Sequence, residues 1–236
     1  MCALPYIAEN LSVVRQEIAE AEGAAGREGR TLMLAAVKYG SDEEVRALLH
    51  EGATAVGENR VQQLLSHWPI FESCGAQVHF IGSLQTNKVK YIIDKVAMIH
   101  SVDSLRLAKT IDAQAMRRGV VMDVLLEING AREEAKSGVM PEEAEPLCRE
   151  ISRLSHLRLR GFMTMGPRFD SPEAYQAYFA SVKALGDRIW EALALKGTPL
   201  YSMGMSESFV PAIMAGADFV RIGRRLFHPA DGTPNG

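Results

Sequence analysis

Lys38, Ser206 and Arg221 are the side chains of this 236-residue chain whose types and surroundings suit chemistry. Lys38 closes the apolar run TLMLAAVKY, Thr31 to Tyr39, and is followed by Gly40 and by Ser41-Asp42-Glu43-Glu44, in which Ser41 and Glu44 can form a capping box. Strand, lysine, turn, helix is the local order. An apolar run of this kind reads as a strand buried on both faces, with the lysine at its carboxyl end, where parallel α/β sheets bind ligands. Partial desolvation there lowers a lysine's pKa and frees its amine to attack a carbonyl, giving a Schiff base. The plainer alternative is a strand-end lysine snorkelling to water. In Gly204-Met205-Ser206-Glu207 the glycine permits a tight turn, and Ser206 can cap a helix whose free N–H groups hold an anion, or simply cap it. In Arg221-Ile222-Gly223 an arginine ends a strand and a glycine lets backbone N–H groups approach a ligand; the other role for Arg221 is a wall arginine paired with Glu58 or Asp218.

The elements that must position these residues alternate regularly. Ile7, Leu11, Val14 and Ile18 mark an amphipathic helix that starts after Pro5 and precedes the first strand. Further strands are expected at Thr54–Asn59, Val78–Gly82, Ala97–Val102, Val120–Asn129, Leu157–Met165, Thr198–Met203 and Asp218–Ile222. Helices are expected between them, among them one capped by Thr86 with Val89, Ile92, Ile93 and Val96, one opened by Pro141 and containing Pro146, one opened by Ser171-Pro172, and one opened by Ser206-Glu207-Ser208. Eight strand-helix alternations without a linker predict a single (β/α)8 barrel over 31–227, preceded by a leading helix within 1–28, in one domain spanning 1–236. The residues collected at its mouth are then Lys38, Glu58, Asn59, His79, Gly82, Asn129, Met163, Ser202 to Ser206, Arg221 and Gly223.

Composition narrows the partners. The chain is 47% hydrophobic and 23% charged with a net charge of −3, values of an ordinary soluble protein, and its scattered basic residues indicate neither a nucleic-acid nor an acidic-lipid partner. Cys2, Cys74 and Cys148 are odd in number and form no CxxC pair, so no disulfide framework or zinc site is expected and the compartment reads as reducing. The amino terminus has no signal-like segment, and no apolar run approaches membrane-spanning length; a cytosolic protein is expected. No GxGxxG follows the first strand.

A lysine on the first strand facing a phosphate cradle on the last two suits a ligand that carries both a carbonyl and a phosphate, and pyridoxal 5'-phosphate has both. The order of motifs adds to this. Lys38, Gly57-Glu58-Asn59-Arg60-Val61-Gln62, His79-Phe80-Ile81-Gly82-Ser83-Leu84-Gln85 with Asn87-Lys88, Lys136-Ser137-Gly138, Arg160-Gly161-Phe162-Met163, Ser202-Met203-Gly204-Met205-Ser206 and Arg221-Ile222-Gly223 together resemble the pyridoxal-phosphate homeostasis proteins, relatives of the alanine racemase barrel. The resemblance covers nearly the whole chain. It implies the pyridoxal-phosphate fold type III barrel without a C-terminal β domain, with Lys38 forming the internal aldimine. It further implies that Ser206 and the Gly223-Arg224 backbone hold the phosphate, that Arg221 faces the pyridine nitrogen, and that Asn59, His79 and Met163 line the cofactor. Lys136 resembles a family lysine near the mouth; its other role is a solvated loop lysine. The chain departs from the family at Val37 and Arg224, where Ser or Thr is common, and the guanidinium of Arg224 is a substitute for the lost hydroxyl if it turns inward.

An arginine at the pyridine nitrogen leaves that nitrogen unprotonated and the ring a weak electron sink. The expectation is therefore a monomeric carrier with no strong catalytic activity, which holds pyridoxal phosphate, buffers its free level and delivers it to pyridoxal-phosphate-dependent apoenzymes. The enzyme alternative is a small amino-acid racemase or decarboxylase that uses the same lysine. A Schiff-base aldolase or sugar-phosphate isomerase is the more distant one.

Overall fold

The computed structural model describes residues 4–133 and 135–228. Eight strands, β1 (Leu32–Ala36), β2 (Ala55–Glu58), β3 (Gln77–Phe80), β4 (Met98–Val102), β5 (Met122–Ile128), β6 (Leu157–Thr164), β7 (Leu200–Met205) and β8 (Phe219–Ile222), pair in sequence order, and β8 returns to β1. Every pairing is parallel, so the sheet is the closed barrel expected from the alternation. Residues alternate across it. On β1, Leu34 and Ala36 face the barrel interior with Ala55, Ile81, Met98, Leu125, Met163 and Phe219, while Ala35 faces the larger apolar layer under the helices.

The outer layer contains α1 (Pro5–Ala25), α2 (Asp42–His50), α3 (Val61–Cys74), α4 (Leu105–Arg118), α5 (Pro141–Ile151), α6 (Pro172–Ala192), α7 (Phe209–Met214) and α8 (Arg224–Phe227). Ile7, Leu11, Val14 and Ile18 of the leading helix are all buried, as their spacing requires. The helix α1 packs on α7, α8 and α2. Because α8 has only four residues, α1 fills the gap in the ring between the last long connection and the first.

Three local expectations are corrected. Thr86–Tyr91 is a 3-10 helix rather than an α-helix, and it has no side-chain cap: Val89 and Ile92, three residues apart, face one side of a 3-10 turn as well as they do an α-helix. The strand β1 ends at Ala36, and Val37–Tyr39 is a 3-10 turn, so Lys38 sits one step beyond the strand. The strand β7 runs on to Met205 and α7 starts at Phe209 after Ser208, so Ser206 is not its N-cap. The capping box at Ser41 and Glu44 is present, with Glu44 N donating to Ser41 Oγ at 3.3 Å and Ser41 N to Glu44 Oε2 at 2.7 Å. Cys74 and Cys148 are both free.

Candidate functional site

At the carboxyl ends of the strands lies a cavity of about 170 Å³, lined on one side by Lys38, Tyr39 and Asn59 and on the other by Met165 to Arg168, Met205 to Ser208, Arg221, Gly223 and Arg224. Six residues singled out from sequence therefore meet in one cavity: Lys38, Asn59, Ser206, Arg221, Gly223 and Arg224. Lys38 is exposed, and its Nζ lies 4.7 Å from the centre of the Tyr39 ring. The turn that carries it is fixed from both sides, by the buried Val37 and by the capped start of α2.

The opposite wall is a backbone cradle. Gly223 N donates to Ser206 Oγ at 3.3 Å, which ties the loop after β7 to the loop after β8. A Cβ on Gly223 would stand 2.9 Å from the Tyr39 ring and 3.2 Å from Ala36 O, so only glycine lets this backbone come so close to the lysine's turn. Arg224 does not turn inward: its Nη2 donates to Glu207 Oε1 at 2.6 Å at the rim, and the missing family hydroxyl is left to the backbone N–H.

Arg221 forms the base. Its side chain is buried, yet it pairs with neither Glu58 nor Asp218; Nη1 donates to Ser202 Oγ at 2.7 Å and Nη2 to Thr164 O at 3.0 Å. Asp218 is held instead by Arg27 at 2.9 Å. Burial brings Arg221 down to about 10, partly offset by the negative charge of Glu127. Its remaining N–H groups have no acceptor among the described residues. Asn59 Oδ1 is likewise buried without a partner. A buried guanidinium with unused donors in a cavity wall suits a ligand that brings its own acceptor.

Other expected mouth residues lie elsewhere. His79 and Met163 are each 1% exposed, inside the barrel and not in the cavity lining. Lys136 sits in the loop after β5, paired with Glu133 at 2.8 Å, and does not line the cavity either. Asn129 clamps that same loop, donating to Glu133 O at 2.8 Å and accepting from Glu133 N at 3.2 Å. Glu58 faces outward, where its Oε1 lies 2.7 Å from His67 Nδ1 on α3, and His67 Nε2 lies 3.4 Å from Asp42 on α2.

That last pair has a measurable signature. Burial pushes Glu58 up from 4.5, and the hydrogen bond that His67 donates to Glu58 holds His67 up from 6.5 against its own desolvation. Both folded-state values lie above the unfolded ones, so the folded protein binds more protons. The contribution of His67 is complete below its ordinary value of 6.5 and is lost as pH rises through the raised one. Thermal melts from about pH 6 to about pH 9 should show wild-type stability falling more steeply than that of His67→Gln, which keeps a donor for Glu58 but cannot titrate. Equal slopes would exclude the pair as the source.

The family model described as "Alanine racemase, N-terminal domain" matches residues 7–230, which places the chain in that class of barrel. A pyridoxal phosphate homeostasis protein of Aquifex aeolicus is 40% identical over 220 residues, covering 93% of this chain and 96% of the relative. One of Helicobacter pylori is 36% identical over 221 residues, covering 93% and 97%. This chain belongs to the pyridoxal phosphate homeostasis protein family. Among solved structures it is similar to PipY of Synechococcus elongatus PCC7942 with PLP bound, at 26% identity and a TM-score of 0.83 over 94% of this chain and 100% of PipY.

Proposed function

We propose that this protein binds pyridoxal 5'-phosphate at the barrel mouth through Lys38 and takes part in its intracellular homeostasis, buffering it and delivering it to apoenzymes. The observation that carries this reading is the convergence of Lys38, the Ser206–Gly223 cradle and Arg221 on one cavity, in a relative of proteins named for that role and of PipY, solved with PLP bound. When bound, the group supplies an aldehyde that an amine captures reversibly.

The residues present fit the group. Lys38 Nζ is the amine for covalent attachment, and its exposure leaves it free to react. Ser206 Oγ and the backbone N–H groups of Gly223 and Arg224 form the phosphate cradle, with Arg224 as a rim charge. Arg221 offers N–H donors to the ring nitrogen, Asn59 lines the cavity opposite, and His79 with Met163 supports the site from within the barrel. A guanidinium in that place donates but does not readily protonate the ring, which favours holding the group over racemisation or decarboxylation. We place the protein in the cytoplasm as a monomer; no helix among the described residues is long and apolar enough to cross a membrane.

Borohydride reduction of protein incubated with pyridoxal phosphate, followed by peptide mapping, is expected to mark Lys38. A mark spread over surface lysines, or no mark, would overturn the reading. Transfer to an apoenzyme, against turnover of an amino acid, separates carrier from enzyme.

A further inference from the structure

Beneath the cavity, four inward side chains form a hydrogen-bonded chain across the barrel. Arg221 on β8 donates from Nη1 to Ser202 Oγ on β7 at 2.7 Å; Ser202 Oγ lies 2.9 Å from His100 Nδ1 on β4; His100 Nε2 lies 2.8 Å from His79 Nδ1 on β3. None of the four is more than 5% exposed. The imidazoles lie edge to face with centroids 5.1 Å apart, and the Phe219 ring stands against both, 5.6 Å from His79 and 5.2 Å from His100. The apolar residues of the inner barrel, Leu34, Ala36, Met98, Leu125 and Met163 among them, make up much of the surroundings, while the charges of Asp123 and Glu127 act on His79 and Arg221 respectively.

The direction of each bond follows from what each group can do. A guanidinium only donates, so Ser202 Oγ accepts from Arg221 and keeps its own hydrogen for His100 Nδ1. Both imidazoles are neutral: burial takes His79 down to about 4, and burial, then the neighbouring His79 and Arg221, takes His100 well below 6.5. A neutral His100 that accepts at Nδ1 carries its hydrogen on Nε2 and donates it to His79 Nδ1. His79 then carries its hydrogen on Nε2, an atom buried without a partner. The opposite polarity leaves both the Ser202 hydroxyl hydrogen and His79 Nε2 unmatched, and two buried groups without partners cost more than one.

We propose that Ser202, His100 and His79 are positioning residues that fix Arg221, so that its unused N–H groups face the cavity and select a ligand presenting an acceptor atom there. The identity of that acceptor, the ring nitrogen of pyridoxal phosphate, rests on the proposed function; the positioning chain itself does not. A neutral chain suits this task better than a carboxylate contact. An ion pair would occupy the guanidinium's donors and offset its charge, whereas a hydroxyl takes one hydrogen bond and leaves the rest for the ligand. The second anchor, Thr164 O, holds the other arm of the fork, and Thr164 Oγ is itself bound to Ile128 O at 2.9 Å.

Two measurements test this. In ligand-free protein, long-range 1H–15N spectra should show His79 and His100 neutral at neutral pH, each with its hydrogen on Nε2, and Ser202→Ala should disturb the His100 Nδ1 signal. A hydrogen on Nδ1 of either ring in the wild type overturns the chain as drawn. In the second, dissociation constants are compared for pyridoxal phosphate and its 1-deaza analogue, in which carbon replaces the ring nitrogen. Wild type should prefer the parent by about tenfold, as for one hydrogen bond from a charged donor. In Ser202→Ala the preference should shrink several-fold while borohydride still marks Lys38, and Ser202→Thr, which restores the hydroxyl, should recover it. An unchanged preference in Ser202→Ala overturns the positioning role, because a variant that merely loosened the barrel would weaken both ligands alike. If neither ligand binds wild type, the proposed function fails, and the spectra of the ligand-free protein still decide the chain.

Discussion

Lys38→Ala is expected to lose the absorbance band that pyridoxal phosphate gives with wild type, and with it any borohydride-stable adduct. Affinity should fall by about a hundredfold, equivalent to roughly 2.7 kcal/mol, since the covalent contribution goes and the phosphate cradle stays. The structure gives reasons for so specific an effect. Lys38 is the lysine that lines the cavity, while Lys136 is engaged by Glu133 and Lys88 and Lys90 lie by the exposed Tyr91 on the 3-10 turn after β3. The side chain is exposed and its ring contact, with Tyr39, is at an exposed residue, so the melting temperature of the ligand-free variant should stay close to wild type. Lys38→Arg separates charge from nucleophilicity: it keeps the cation beside Tyr39 but cannot attack an aldehyde, and should behave as the alanine variant does. A lysine adduct surviving in either variant at wild-type yield would assign the chemistry to another residue.

Gly161→Ala should be among the most destabilising single-methyl additions in the barrel. Gly161 has φ of +149°, and an added Cβ would stand 2.0 Å from Leu200 O and 2.4 Å from Leu200 N. Leu200 is its partner across the β6–β7 pairing, so the clash cannot be relieved by a rotamer change. The register between β5 and β6 shifts at the same place, where Val124 pairs Leu159 and Leu125 pairs Gly161, leaving Arg160 as the extra residue. Strain of this kind together with the displaced strand should cost about 3 kcal/mol or more, a fall in Tm of roughly 6–12 °C for a chain of this size. Thermal unfolding followed by circular dichroism reads it directly. A Tm within about 2 °C of wild type would mean that β6 and β7 can separate locally without cost to closure. The glycine of the Arg160-Gly161-Phe162-Met163 motif is thus explained by barrel geometry, without reference to the ligand.

The contrast between these two positions marks what the sequence reveals. Lys38, Ser206, Arg221 and Gly223 were legible because strand ends announce themselves, by an apolar run that stops at a polar residue and a glycine. Which way a side chain points was not legible. In a parallel barrel both faces of every strand are buried, so Glu58 and His79 look alike in sequence although one faces α3 and the other the barrel axis. The partnership of His100 with Ser202 joins strands 102 residues apart that are not neighbours in the sheet, and no local pattern encodes it. Serine before a short apolar stretch usually caps a helix, which is what the sequence suggests for Ser206; β7 instead extends to Met205, the helix starts past Ser206, and its Oγ accepts from Gly223 N.

The place of α1 in the helical ring bears on how the protein is made. During synthesis α1 emerges before the barrel strands, yet the surfaces it covers belong largely to α7 and α8, and β1 cannot complete its pairing until β8 appears. Until then α2 is the early neighbour of this helix, whose residues Ile7, Leu11, Val14 and Ile18 end up buried. Closure therefore joins segments nearly two hundred residues apart, a contact of high loop entropy that must form late. The bidentate contact between Glu17 on α1 and Arg225 on α8 sits on that seam, where the earliest and latest parts of the described chain are fastened together.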